Sequence, residues 1–147
     1  MKEEQDTSQE RICLELPATL QYLHVLSACL AAVLMDMAGV EESTSYNVQL
    51  AVHEICTNIV LYAYAGQSKR GRIQVMIVID RDKKGLTVTV CDDGVPFDEA
   101  CVKEPVLGSE QVHGYGLFLV RKLMDGVDYR RLAGKNCWRL KKYLVRS

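Results

Sequence analysis

VQLAVHEICTNIVLYAYA, residues 48–65, contains neither glycine nor proline and runs up to Gly66. Its apolar residues recur at helical spacing. At about 100° per residue, Val48, Leu50, Ala51, Ile55, Ile59, Leu61 and Tyr62 fall on one broad arc, the core side of an amphipathic helix. Glu54 and Asn58 fall on the same arc, four residues apart and therefore stacked on one face. A carboxylate and a carboxamide are thus expected to point together toward the interior, where an unpartnered charge is costly. A polar network closing a helix onto its sheet would use such a pair, and so would a ligand site. E-x-x-x-N alone admits both, and the rest of the chain has to decide between them.

A chain of 147 residues is sized for one domain with one core. Its composition, 48% hydrophobic and 25% charged with a net charge of −1, is that of an ordinary globule and gives no electrostatic reason to expect direct binding to nucleic acid. No uninterrupted apolar run is expected to reach bilayer length; the nearest, LSACLAAVLM (26–35), stops at Asp36, so no membrane partner is expected. The acidic, polar start MKEEQDTSQE is the reverse of a signal peptide and points to the cytoplasm. Six cysteines, at positions 13, 29, 56, 91, 101 and 137, show no C-x-x-C spacing and read as reduced thiols rather than a disulfide framework. His53 and Cys56 share a helix face, but two ligands without a second pair do not make a zinc site.

Residues 1–10 read as a disordered tail preceding a single domain over 11–147. RICLEL (11–16) alternates as a strand ending at Pro17, and Leu20, Leu23, Leu26, Leu30, Val33 and Met37 predict one long helix over 18–37, stopped by Gly39. Ser43 or Thr44 is placed to cap the next helix. RIQVMIVID (72–80) and LTVTVCD (86–92) alternate at period two and form a hairpin through RDKKG (81–85). The stretch 93–113 holds two of the three prolines and no periodicity, and a connection of that length in a compact domain is more often a functional lid than a linker. A helix follows over 116–124. VDYRRL (127–132) and NCWRLKKYLV (136–145) then close the chain as a hairpin whose Trp138, Leu140 and Tyr143 are expected in the core.

Two further motifs accompany the helix pair. The strand ending Cys91-Asp92-Asp93-Gly94 delivers a carboxylate and then a residue without a side chain to the end of a sheet, an arrangement suited to a flat ligand with an exocyclic amine, although D-G is also a common turn dipeptide. His113-Gly114-Tyr115-Gly116-Leu117 places two glycines before a helix, where free N–H groups and the dipole favour a phosphate; a hinge would look the same.

The order E-x-x-x-N, D-x-G, lid, G-x-G-L resembles the nucleotide-binding boxes of the GHKL ATPases, the superfamily that includes histidine kinases and gyrase B. Within it, AVHEICTNIVLYAYAG (51–66), VCDDGVPFDEA (90–100), HGYGLFLVRKLMDGVDYRR (113–131) and RLKKYL (139–144) are most similar to the small bacterial anti-sigma factor serine/threonine kinases. The resemblance covers the chain from about residue 12 onward, and LFLVRKLMD is its most specific block. It implies an α+β two-layer sandwich, the Bergerat fold, with a mixed, mostly antiparallel sheet of about five strands covered on one face by about three helices.

Carried over to this chain, the resemblance implies that Asn58 binds the Mg²⁺ bridging the phosphates of ATP and that Asp92 bonds the adenine amine with Gly94 beneath the ring. It further implies that Gly114 and Gly116 wrap the phosphates and that Phe97, Tyr115 and Leu117 belong to the same nucleotide site. Glu54 is implied as the general base toward a serine or threonine hydroxyl. The implied substrate is a STAS-domain anti-anti-sigma factor, the second partner a sigma factor or equivalent regulator, and the assembly a homodimer. The chain departs from the pattern in a lid whose only Lys or Arg between Glu99 and His113 is Lys103, in Tyr62 after the asparagine, and in Asn136-Cys137 where part of the superfamily has a nucleotide-contacting threonine. The lid motivates an alternative, a nucleotide-dependent regulator that holds its partner with little or no kinase activity.

Overall fold

The computed structural model describes residues 9–65, 71–98 and 116–144. Its elements are β1 (Gln9–Pro17), α1 (Leu23–Ala32), α2 (Glu42–Asn58), β2 (Arg72–Asp80), β3 (Gly85–Asp92), α3 (Gly116–Leu123), β4 (Gly126–Leu132) and β5 (Lys135–Tyr143). β1 includes Gln9 and Glu10, so the strand begins two residues inside the expected tail.

α2 buries Val48, Ala51, Val52, Ile55 and Cys56, the i, i+3, i+4, i+7, i+8 stripe of a core helix. Each Val or Ile so buried contributes roughly 1.5–3 kcal/mol of apolar transfer free energy, which fixes the orientation of the whole helix. The helix starts one residue before Ser43, and no side chain caps it; Glu42 in its first turn complements the dipole instead. Beyond Asn58 the chain continues as π-helical turns over Ile59–Ala63. A π turn takes an additional residue, so side chains fall behind the uniform helical phase. Leu61 and Tyr62, expected on the core arc, are consequently 48% and 59% exposed, whereas Ile59 and Ala63 are buried.

The single helix expected over 18–37 is also broken. Pro17 and the extended backbone of Thr19 delay it, leaving a 3-10 turn (Leu20–Tyr22), α1, and a π-helical segment (Val33–Met37) that Gly39 ends at φ +64°. By length and composition Leu20–Met37 is apolar enough to cross a bilayer, with mean hydropathy 1.5, although Gln21, His24, Ser27 and Asp36 interrupt it, so it is not an uninterrupted apolar run. In the fold it is a core helix, contributing Leu23, Leu26, Leu30, Val33 and Leu34 to the interior.

The five strands form one sheet in the order β1-β2-β3-β5-β4. Every pairing among the described strands is antiparallel, so the sheet is the five-stranded antiparallel one expected, without a parallel pair among the described residues. Ile73, Val75, Ile77 and Ile79 of β2, Leu86, Val88 and Val90 of β3, and Trp138 and Leu140 of β5 point to the buried face at period two and meet the helices there. The result is a two-layer α+β sandwich with the helices on one face. Tyr143 has the opposite parity to Trp138 and Leu140 and is 71% exposed, which corrects its placement in the core. β4 and β5 turn through Ala133 and Gly134, both at positive φ as a two-residue primed hairpin requires.

The cysteine expectation is corrected as well. Cys91 and Cys137 are register partners in β3 and β5 and form a disulfide across the two strands. Their Cα atoms are 4.3 Å apart, the close spacing of a non-hydrogen-bonded antiparallel pair. A separation of 46 residues hides this pairing from any spacing rule.

Candidate functional site

Asp92 ends β3 on the parity of Val88 and Val90, which turns its carboxylate to the helix side, where it is 4% exposed. Its Oδ1 accepts from the Gly94 amide and from Asn136 Nδ2, both at 2.9 Å. Its Oδ2 is buried with no hydrogen-bond partner. Burial is the main influence on this group and raises its pKa above the usual aspartate value; Asn136, the Gly94 amide and Arg131 pull it down, and Asp93 pushes it up. A buried oxygen without a donor is the complement of an exocyclic amine, so the residue present fits an adenine edge.

Gly94 is explained by packing. A Cβ there would collide with the Ala63 carbonyl at the end of the π-helical segment, and the next amide, Val95, donates to that same carbonyl at 2.8 Å. The loop after Asp92 therefore sits directly on the C-terminal end of the α2 segment. Tyr64 closes the other side: its hydroxyl lies 2.7 Å from Asp93 Oδ1 and 2.8 Å from the Arg72 carbonyl, and accepts from the Asp93 amide at 3.1 Å. Burial and the neighbouring Asp93 push the Tyr64 phenol up to about 12, so it stays protonated and can donate. Phe97 stacks edge-on against Tyr129 and Trp138 at 5.6 and 4.9 Å, and its amide donates to the Tyr129 hydroxyl at 3.0 Å. It anchors the loop from the core side.

The second half of the site is where α3 meets α2. A Cβ on Gly116 would stand 2.7 Å from Glu54 Oε2 and 3.6 Å from Asn58 Nδ2. Glu54 and Asn58 are half-buried rather than interior, and both reach the first residue of α3, whose N–H groups and dipole favour anions. Leu117 is buried in the core, so its side chain holds α3 in place. Asn58 carries a neutral hard oxygen of the kind Mg²⁺ takes alongside phosphate oxygens, and its carboxamide borders the space beside Gly116 through Nδ2; the residue type fits that ion. Gly114, Tyr115, Lys103 and His113 lie outside the described residues.

Sequence reasoning noticed Asn136 only as a departure. Here it is 2% exposed and bonded to Asp92, with Tyr129 and Arg131 behind it. The signal was available: Asn136 shares the inward parity of Trp138 and Leu140, so a polar residue occupies a core position of β5. Nothing local marked Tyr64, Tyr129 or Arg131.

This architecture, an antiparallel sheet under three helices with an orphaned carboxylate at a strand end and a Glu-Asn helix pair against a helix start, is that of a nucleotide-binding ATPase module. The chain belongs to the histidine kinase-like ATPase domain family, which it matches over residues 16–142. Within that family it is similar to the serine-protein kinase RsbW of Listeria monocytogenes serotype 4a, 33% identical over 129 residues that span 82% of this chain and 80% of the relative. RsbW of Staphylococcus epidermidis is 29% identical over 136 residues, 87% of this chain and 84% of that one. Among solved structures, the RsbU and RsbW domains of Rv1364c from Mycobacterium tuberculosis share the fold at a TM-score of 0.69 and 21% identity, with 94% of this chain matching 33% of that longer one. The histidine kinase domain of the Erythrobacter litoralis EL346 blue-light activated kinase shares it at a TM-score of 0.56 and 20% identity, over 88% of this chain and 62% of that one.

Proposed function

We propose that the protein is an anti-sigma factor serine/threonine kinase: it binds Mg-ATP between α2, α3 and the Asp92 loop and phosphorylates a STAS-domain anti-anti-sigma partner in a partner-switching system. Kinship with the serine-protein kinases makes it an ATP-dependent kinase of that class. The observation that carries the site reading is the meeting of Glu54 and Asn58 with the first residue of α3. Asp92 accepts the adenine amine on Oδ2, and the start of α3, which Gly116 allows to approach α2 closely, receives the phosphates through backbone N–H groups. Asn58 would hold Mg²⁺, which neutralises phosphate charge when bound. Glu54 is positioned to take the proton of the attacking serine or threonine hydroxyl as its oxygen bonds the γ-phosphorus and ADP leaves. Gly94, Phe97 and Leu117 serve the site by packing the elements that carry these groups. Gly114 and Tyr115 belong to the same phosphate segment in this reading. A sigma factor is the second partner, and a cytoplasmic homodimer the working form.

The composition of the lid favours one alternative, a regulator that holds its partner in a nucleotide-dependent way with little transfer, since Lys103 is the only Lys or Arg between Glu99 and His113. Incubation with Mg²⁺, labelled ATP and STAS-domain proteins separates the two. Label on a partner serine or threonine, reduced about 10²–10⁴-fold by Glu54→Gln with nucleotide affinity kept, is the expected result. Intact ATP binding with no label on any partner would overturn the kinase reading in favour of the alternative.

A further inference from the structure

The buried polar cluster behind Asp92 determines more than local packing. Asn136 Oδ1 receives Arg131 Nη1 at 2.9 Å and the Tyr129 hydroxyl at 2.5 Å. Its Nδ2 donates to Asp92 Oδ1 at 2.9 Å and to the Val95 carbonyl at 2.8 Å. A guanidinium has donors only, so turning the amide over would set donor against donor on one side and acceptor against carboxylate on the other. The orientation of Asn136 is thereby fixed by chemistry, and Arg131 also donates to the Gly94 carbonyl at 3.0 Å, binding the same loop.

The consequence falls on Asp92. With the Gly94 amide and Asn136 both donating to Oδ1, that oxygen is committed as an acceptor, and Oδ2 is the buried carboxylate oxygen left without a donor. We propose that Asn136, clamped by Arg131 and Tyr129, is the positioning residue that sets purine selectivity, presenting Asp92 to the base as an acceptor edge that takes the 6-amino group of adenine and repels the 6-oxo group of guanine. This rests on the reading that Asp92 meets the base.

The electrostatics supply an independent handle. The groups acting on Asp92 are Asn136 and the Gly94 amide, which favour its charge, Arg131 from β4, which does the same, and Asp93, which opposes it. From the α2 side come Cys56, whose burial pushes its thiol up to about 12, and Tyr64, likewise about 12, both neutral at ordinary pH. Removing Asn136 takes away the strongest hydrogen bond favouring the charged form, so Asp92 holds its proton to higher pH and presents a donor where adenine needs an acceptor.

The test is titration of the full chain with ADP and with GDP, in Mg²⁺, from pH 5 to 8, for wild type, Asn136→Leu and Tyr129→Phe. Tyr129→Phe keeps the ring against Phe97 and Trp138 and removes the hydroxyl that holds Asn136 and accepts from the Phe97 amide, so it remains informative if the leucine variant folds poorly. The expected result is a wild-type preference for ADP that narrows roughly tenfold or more in Asn136→Leu, and less in Tyr129→Phe. The acid limb of ADP binding moves to higher pH in the same order. Folded variants with a lower melting temperature but an unchanged ADP:GDP ratio and acid limb would overturn the proposal and leave Asn136 a structural residue. A wild type that binds neither nucleotide, or both equally, would instead overturn the adenine reading of Asp92 itself.

Discussion

Burial holds the Asp92 carboxylate in a state that costs stability. Its raised pKa means that the folded chain keeps this proton to higher pH than the unfolded chain does. In the window between the ordinary aspartate value and the raised one, the native state therefore binds more protons, and its stability falls as pH rises. Asp92→Asn removes that contribution. The difference in unfolding free energy between variant and wild type, measured by denaturant titration at several pH values, should grow in favour of the variant as pH rises through this window, while adenine-nucleotide binding is lost. Comparing the two proteins cancels Glu10 and Asp80, which act with the opposite sign through lowered pKa values.

Between elements, the decisive contacts are backbone approaches that only glycine permits. Gly94 lets the loop after β3 rest on the carbonyl of Ala63, and Gly116 lets α3 start against Glu54. The obstacle differs: at residue 94 it is fixed backbone, at residue 116 the end of a side chain that can swing away. Gly94→Ala should therefore cost about 1–3 kcal/mol of stability, read from denaturant unfolding, and weaken nucleotide binding by moving Asp92. Gly116→Ala should spare stability by comparison and act on the position of Glu54. D-x-G was legible as a motif in the sequence, but the sequence does not show that its glycine rests on the end of the α2 segment.

Across the whole molecule, the disulfide between Cys91 and Cys137 ties the two strands that also carry Asp92 and Asn136, partners one register step away. It closes a loop of 46 residues that holds α3 and β4. Restricting a loop of that length in the unfolded chain is worth about 4 kcal/mol in the chain-entropy account. Reduction should therefore lower the melting temperature by roughly 10 °C. Melting in the presence and absence of reductant checks this, with a Cys91→Ser/Cys137→Ser double variant as the protein on which reductant should have no effect.

The sequence by itself determined most of the elements and marked three motifs, because strand alternation, helix spacing and glycine punctuation are local. β2, β3, α3 and the closing hairpin stand within a residue or two of where periodicity puts them, and Glu54, Asn58, Asp92 and Gly116 were all singled out from spacing and motif order. Tertiary structure alone decided the phase of the helix end, where π turns expose Leu61 and Tyr62, and the pairings between distant positions. Asn136 meets Asp92 across 44 residues and Cys137 meets Cys91 across 46, both because β5 inserts between β3 and β4. Strand order and register come from burying every apolar face at once, a condition on the whole chain that no local window contains.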